Sequence, residues 1–252
     1  LRLLADRVGI SKQNSMTDFS VLEGCVREVL DSKAIRRMAV VDPVKLRITN
    51  LAPDHDESLN FANHPKDESL GTRSLPFSPE LWIEREDFME VPVKGFHRLV
   101  HGGEVRLRGV GIVKCEEVVK EGESVVELRC TLDLASRAGM PGADRKIKGT
   151  IHWVSVRHAV AAEIRLYDRL FSVADPDNEA GGKTYRDFLN PESVRVVRGF
   201  VEPAAAQSAA EQIFQFERLG YFVADRHDHS GESPVFNRTV TLRDSWAKVA
   251  GA

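Results

Sequence analysis

Between Lys94 and Arg108 the sequence gathers Lys94, His97, Arg98, His101, Arg106 and Arg108 against a single acid, Glu104. Arginine is the residue of interest here, because its planar guanidinium can donate two parallel hydrogen bonds to guanine O6 and N7 or to a phosphate. In the run Glu104-Val-Arg-Leu-Arg108, period-two alternation predicts Arg106 and Arg108 side by side on one strand face. Two like charges so placed repel unless an anion lies between them. A second basic run follows at Arg145-Lys146-Ile147-Lys148. The whole chain carries a net charge of -3, so these patches describe a local, directed field and not general basicity. The same residues fit two readings, a face that grips a polyanion or a solvated strand edge kept from pairing by Lys and Arg.

Other constellations point elsewhere. Asp225-Arg-His-Asp-His229 combines acids with imidazoles, but its spacing fits no familiar metal site and Ser230-Gly231 marks it as a loop. A small hydrolase using His227 and its neighbouring acids is the enzymatic alternative for this stretch. Cys25, Cys115 and Cys130 are odd in number and lack CxxC spacing, which argues against a disulfide framework or a zinc centre; Cys115 and Cys130 are expected in the core. No nucleophile elbow, zinc-protease helix, phosphate-cradling or dinucleotide-binding glycine motif occurs. No catalytic residue and no metal ligand is therefore assigned. Trp82, Trp153 and Trp246 can stack on bases, yet aromatic side chains in strands mostly pack inward, and Trp153 between Ile151 and Val154 is expected to be buried.

The elements that must position these side chains are mainly strands. Residues 1 to 35 read as helix: Leu3, Leu4 and Val8 precede Gly9, and an apolar stripe runs from Phe19 through Leu22 to Leu30, opened by Thr17, Asp18 or a Ser20/Glu23 capping box. From Met38 the period changes to two, with Val44, Leu46 and Ile48 alternating against Lys45, Arg47 and Thr49. Strands are predicted at 81–85, 104–108, 111–115, 125–131, 148–154, 163–167, 193–197, 214–216 and 239–242. The polar stretches 54–79 and 174–183 read as loops, and Ala204 to Ile213 as a short helical interlude. Many short strands with turn residues between them favour barrels or sandwiches. With 42% hydrophobic and 29% charged residues the chain is of ordinary globular composition, and no apolar run is long enough for a membrane span or secretion signal, so a cytoplasmic location is expected.

Five stretches then carry a resemblance: Met38-Ala-Val-Val-Asp-Pro-Val-Lys-Leu46, Ile151-His-Trp-Val-Ser155, Glu163-Ile-Arg-Leu-Tyr-Asp-Arg-Leu-Phe-Ser172, Phe214-Gln-Phe-Glu-Arg-Leu-Gly-Tyr-Phe222 and Phe236-Asn-Arg-Thr-Val240. In this order they resemble the C-terminal, anticodon-reading region of the glutaminyl-tRNA synthetase family, without the HIGH-type and KMSKS-type motifs that hold ATP. The resemblance implies two linked antiparallel β-barrels of a type shared with a ribosomal protein, after a helical tail at 1–35. It divides the chain into a proximal barrel from 36–62 and 158–252 and a distal barrel from 63–157. It further implies that Arg98 meets the last anticodon base, that Arg106 and Arg108 lie at the first, and that Arg36, Gln215 and Arg218 form the pocket of the middle base. Lys66 and His97, which stand where asparagine and lysine are usual, are expected on the RNA backbone. The implied partners are a glutamine tRNA and the catalytic domain of the same protein, with no DNA and no membrane. No cofactor is expected on this region, whereas ATP and magnesium belong to the whole enzyme. The barrel region of a glutamyl-tRNA synthetase and an rRNA-binding protein of the related barrel fold are the competing readings.

Overall fold

The computed structural model describes residues 1–9, 12, 16–177 and 182–243. Helix α1 (Arg2–Val8) stops at Gly9, whose φ of 77° is open to glycine. Helix α2 (Phe19–Lys33) opens on Asp18, whose side chain accepts the Ser20 N–H at 2.7 Å. The chain then turns to strands: β1 (Ile35–Arg37), β2 (Ala39–Val40), β3 (Pro43–Ile48), β4 (Glu57–Ala62), β5 (Thr72–Phe77), β6 (Glu80–Glu84), β7 (Glu104–Leu107), β8 (Gly111–Glu121) and β9 (Ser124–Asp133). There follow β10 (Thr150–Ile151), β11 (Val154–Ser155), β12 (Val160–Tyr167), β13 (Val194–Val201), the single turn α3 (Pro203–Ala206), β14 (Ile213–Phe216), β15 (Gly220–Ala224) and β16 (Val235–Thr241). Among the described residues no helix is long and apolar enough to cross a membrane.

The protein is mostly β, with two barrel-like sheets and a two-stranded ribbon. The first sheet runs β1-β14-β15-β16-β12-β13-β2, the second β10-β7-β8-β9-β3-β6-β11, and the ribbon is β4-β5. In each sheet the two edge strands are almost contiguous in sequence. Only Met38 separates β1 from β2, and only His152-Trp153 separates β10 from β11. Each sheet must therefore roll until its edges approach, which leaves little open edge for unwanted pairing. Met38, His152 and Trp153, at these closures, have no exposed surface.

Each roll encloses its own apolar core. Alternation in Phe214-Gln-Phe216 turns both phenylalanines inward, where they meet Phe222 and Phe236 at ring separations of 4.5 to 5.8 Å. In the second sheet Leu46, Leu81, Ile83 and Leu128 surround Trp153, whose ring stands edge-on to Phe77 at 5.4 Å. Cys115 and Cys130 lie opposite each other on β8 and β9, fully buried. Between the sheets, Trp82 of β6 stacks on Phe200 of β13 at 5.0 Å.

Several sequence expectations change. The stretch 54–79 contains β4 and β5, whose alternation of polar with apolar residues is masked by Asn, Ser, Thr and Pro; Leu59, Phe61, Leu75 and Phe77 are the side they turn to the core. The expected helix at 204–213 is only α3, and the expected strand at 148–154 breaks at His152-Trp153 into β10 and β11. Strand β3 pairs with β6 and β9, so residues 43–48 join the second sheet, unlike the expected grouping of 36–62 with 158–252. Parallel pairs β1/β14, β12/β16, β3/β9 and β7/β10 occur beside the antiparallel ones, so the sheets are mixed and not purely antiparallel as expected; of these pairs β1/β14 brackets the inserted second sheet.

The 225–229 loop is tied down by Asp225. Its Oδ1 accepts the N–H groups of His227 and Asp228 at 2.8 and 2.9 Å, and its Oδ2 accepts Asn237 Nδ2 at 2.6 Å. The Asp228 N–H, then Asn237 and the His227 N–H, hold this carboxyl down at about 2. A carboxyl with a depressed folded pKa stabilises above its ordinary titration range and loses that contribution as pH falls through the folded value. Asp225→Asn is therefore expected to lower the urea midpoint at neutral pH, with the deficit against the parent shrinking between pH 3.8 and about 2. A deficit independent of pH over that window would show that the charge of Asp225 contributes nothing.

Candidate nucleic-acid interface

Strand pairing brings together residues far apart in sequence. Arg36 of β1 is the register partner of Gln215 in β14, and Gln215 is in turn the partner of Tyr221 in β15. With Phe214 and Phe216 turned to the core, Gln215 points the other way. Arg36 is buried, donating from Nη1 to the Ala34 carbonyl at 3.0 Å and from Nη2 to Asp31 Oδ1 at 3.0 Å. The Asp31 carboxylate also accepts Lys66 Nζ and the Tyr221 hydroxyl, each at 3.4 Å. Burial alone would raise the Asp31 pKa, but Lys66 and Arg36 outweigh it and hold the carboxyl low. Burial raises the Tyr221 hydroxyl, and the Asp31 charge adds to it. Gln215 Oε1 is buried and accepts no hydrogen bond in the structure. A buried acceptor without a donor is costly, and it is a position where an incoming N–H would be held.

A second cluster lies where the sheets meet. Asp87, in the 3-10 turn Arg85–Asp87 after β6, is fully buried. Arg218, in the tight turn between β14 and β15, donates to both of its oxygens, from Nη1 at 2.6 Å and from Nη2 at 2.5 Å. Arg218 also donates to His152 Nδ1 at 3.2 Å, so that ring carries its proton on Nε2, which faces Glu84 Oε1 at 3.6 Å. Arg98 reaches the same Asp87 carboxylate through Nε at 3.3 Å, while its Nη1 donates to Glu86 Oε1 at 2.9 Å and to the Glu86 carbonyl at 3.0 Å. Arg108 pairs with Glu217 Oε1, beside Arg218, at 3.2 Å. Although burial works against the Arg218 cation, its bonds to Asp87 prevail and raise its pKa.

The structure thus gathers Arg36 and Gln215 on one face, with Lys66 joined through Asp31, and gathers Arg98 and Arg218 on Asp87, with Arg108 next to them on Glu217. Arg106 stands apart from this group: its Nη2 donates to the Arg145 carbonyl at 2.7 Å and its Nη1 to the Ser136 carbonyl at 3.4 Å. Arg106 and Arg108 engage different partners, the former the Arg145 and Ser136 carbonyls and the latter Glu217, and the chain turns through Gly109 at φ 72° just beyond them. His97 is exposed and lines an open groove with Phe96, Arg98, Lys114 and Lys148. Arg145, from the second basic run, is engaged by Glu104 and Asp133.

Sequence reasoning did not single out Asp31, Asp87, Glu217 or Tyr221. Acids flanking candidate arginines, as in Arg85-Glu86-Asp87 and Glu217-Arg218, were the available signal. Asp225 and Asp228 are spent on Arg165, and His229 lies against Val235 and Ser208, so the loop reads as a structural tie and not a hydrolytic centre. Among the described residues no group of three or more His, Cys, Asp or Glu is placed to hold a metal ion. Trp82 and Trp153 are engaged within the protein, the latter donating Nε1 to the Arg108 carbonyl at 3.0 Å, and Trp246 lies outside the described residues.

Comparison with known proteins shows the family. Two family models, both described as tRNA synthetases class I (E and Q), anti-codon binding domain, match residues 34–133 and 150–225. The glutamine–tRNA ligase of Xanthomonas euvesicatoria pv. vesicatoria is 70% identical over 249 residues, which covers 98% of this chain and 43% of that protein. The glutamine–tRNA ligases of Xanthomonas campestris pv. campestris and Xylella fastidiosa (strain Temecula1) are 69% and 66% identical over the same share. The chain spans less than half the length of these curated relatives.

The backbone that carries His97 and Arg98 rests on Gly149, where φ is 89° and an added Cβ would lie 1.8 Å from the His97 carbonyl oxygen. Gly149→Ala is expected to destabilise the protein by about 2 kcal/mol or more in urea titration. Gly139→Ala, at φ 79° with open space around it, isolates the backbone cost and should lose only about 1 kcal/mol. Equal losses at the two glycines would mean that the 97–98 segment yields freely.

Proposed function

Because the chain belongs to the anticodon-binding family of the class I glutaminyl and glutamyl tRNA synthetases, we propose that it reads the anticodon of a glutamine tRNA on behalf of a longer ligase. The observation that carries this reading is the β1/β14/β15 register, which makes Arg36 the neighbour of Gln215, whose buried Oε1 has no partner. Uracil presents an N3–H between two carbonyl oxygens. Gln215 Oε1 can accept the first while a guanidinium donates to a carbonyl, so the site complements the middle base of a glutamine anticodon. Arg98 meets the last base, a guanine, through the two-pronged contact to O6 and N7. Arg218 supports the middle pocket from the adjoining turn, Arg106 and Arg108 serve the first base, and Lys66 and His97 contact the backbone.

In this proposal the longer protein attaches glutamine to its tRNA in the cytoplasm. The ATP and magnesium that this chemistry requires, together with the catalytic domain, are assigned to the part of the ligase outside this chain. Contacts here hold RNA far from the reacting atoms, and such remote binding energy can be used to align the acceptor end. A glutamyl-type preference is the second reading, since the family models span both classes; the 66–70% identity to glutamine–tRNA ligases favours glutamine.

Binding to anticodon hairpins tests the reading. Arg98→Ala is expected to weaken the cognate glutamine hairpin by ~1–3 kcal/mol and to flatten discrimination at the last base, where glutamine and glutamate anticodons differ. Equal weakening on every last-base variant would instead mark Arg98 as a phosphate contact. Affinity should also fall steeply as salt is raised, through counterion release.

A further inference from the structure

We propose that Asp87 is a positioning residue shared by Arg98 and Arg218, and that it couples recognition of the middle and last anticodon bases into one event. The inference rests on the reading above and adds a thermodynamic link between its two pockets.

The geometry points to a hub and not to two separate ion pairs. A carboxylate with no exposed surface is tolerable only when its lone pairs are filled by strong donors. Asp87 takes its donors from the fork of Arg218 in the β14–β15 turn, and a second cation, Arg98 from the loop leading to Leu99, stands beside it as an ion pair with Nε at 3.3 Å. Its main chain holds the same loop, because the Asp87 carbonyl accepts the Leu99 N–H at 2.9 Å and Phe88 bridges Leu99. On the other side, Arg218 sits at φ 68°, a left-handed conformation that a non-glycine residue keeps only when its surroundings enforce it. The fork on Asp87 supplies that enforcement. The turn it fixes continues directly into β14, which carries Gln215 three residues upstream.

One carboxylate facing two cations divides its attraction between them. When a guanine draws Arg98 away, Asp87 concentrates its charge on Arg218, and because this carboxylate is fully buried the attraction is weakly screened. The turn tightens, and with it the strand that presents Gln215 to the middle base. A correct last base therefore raises the value of a correct middle base, and by linkage the reverse holds equally.

The test is a base-by-base cycle on the 252-residue chain, with anticodon hairpins altered at the middle base, the last base or both. In the unaltered chain the penalty for both changes should fall short of the product of the single penalties by roughly 5-fold or more. In Asp87→Asn, which keeps the shape and removes the charge, the two penalties should multiply. Arg218→Lys, which loses the fork but keeps a cation, should abolish the shortfall as well and serves where Asp87→Asn does not fold. Glu86→Gln removes the carboxylate that Arg98 Nη1 donates to and leaves the Asp87–Arg218 fork in place, so it should change the last-base penalty with the shortfall intact. Penalties that multiply in the unaltered chain, or a shortfall that survives both Asp87→Asn and Arg218→Lys, would overturn the inference while leaving the anticodon reading in place. A chain that binds all anticodons alike would overturn both.

Discussion

Three buried carboxylates hold this architecture in place. Glu84, Asp87 and Glu202 are each at most 3% exposed, and an ion withdrawn from water at such depth costs several kcal/mol unless donors replace its hydration. The replacements come from across the junctions. Glu202 draws on Arg73 and the Met38 N–H, with Arg37 as an added ion pair; Glu84 on the N–H groups of Val41 and Asp42; Asp87 on Arg218, with Arg98 as an added ion pair. Each acid and its donors belong to different elements, so the requirement that every charge be matched fixes how the sheets and ribbon dock. Apolar contact such as Trp82 on Phe200 adds attraction without direction. The strain is visible on Arg37, where burial, against the pull of Glu202, brings the guanidinium down to about 10.

The same pairing logic explains how a net-negative chain can face RNA. Arg36, Arg98 and Arg108, three of the arginines assigned to bases, each have a protein carboxylate as a partner in the free protein. For Arg98 and Arg108 the guanidinium is about a third to a half exposed, and such pairs are worth only ~0–1 kcal/mol. They hold the side chains in orientation yet give way readily to a phosphate or a guanine edge. Arg218 differs, being locked in a bidentate pair on a fully buried carboxylate, and its work is to fix neighbours.

Local patterning made part of this legible. Period-two alternation located β3, β6 and β12 within a few residues, Gly9 marked the end of α1, and Cys115, Cys130 and Trp153 are core as their neighbours implied. The ribbon β4–β5 escaped because its outer face is polar and its sequence carries turn-forming residues within strands. Alternation cannot say which partners a strand's side chains take, and Arg106 goes to the Arg145 and Ser136 carbonyls while Arg108 goes to Glu217. Pairing across sheets was out of reach altogether. Nothing near Asp87 in sequence announces Arg218, and Arg36 meets Gln215 through a register that only the finished sheet defines.

That register sets a schedule for biosynthesis. Strands β1 and β2 leave the ribosome early, but their partners β14 and β13 follow only after the whole second sheet has been made. The nascent chain must therefore carry two short unpaired strands, joined by the apolar Met38, while β3 to β11 can already close around Trp153. Pairings so distant in sequence form slowly and leave sticky intermediates exposed. Keeping those strands to three and two residues limits how much a neighbouring polypeptide can seize before the late hairpin arrives.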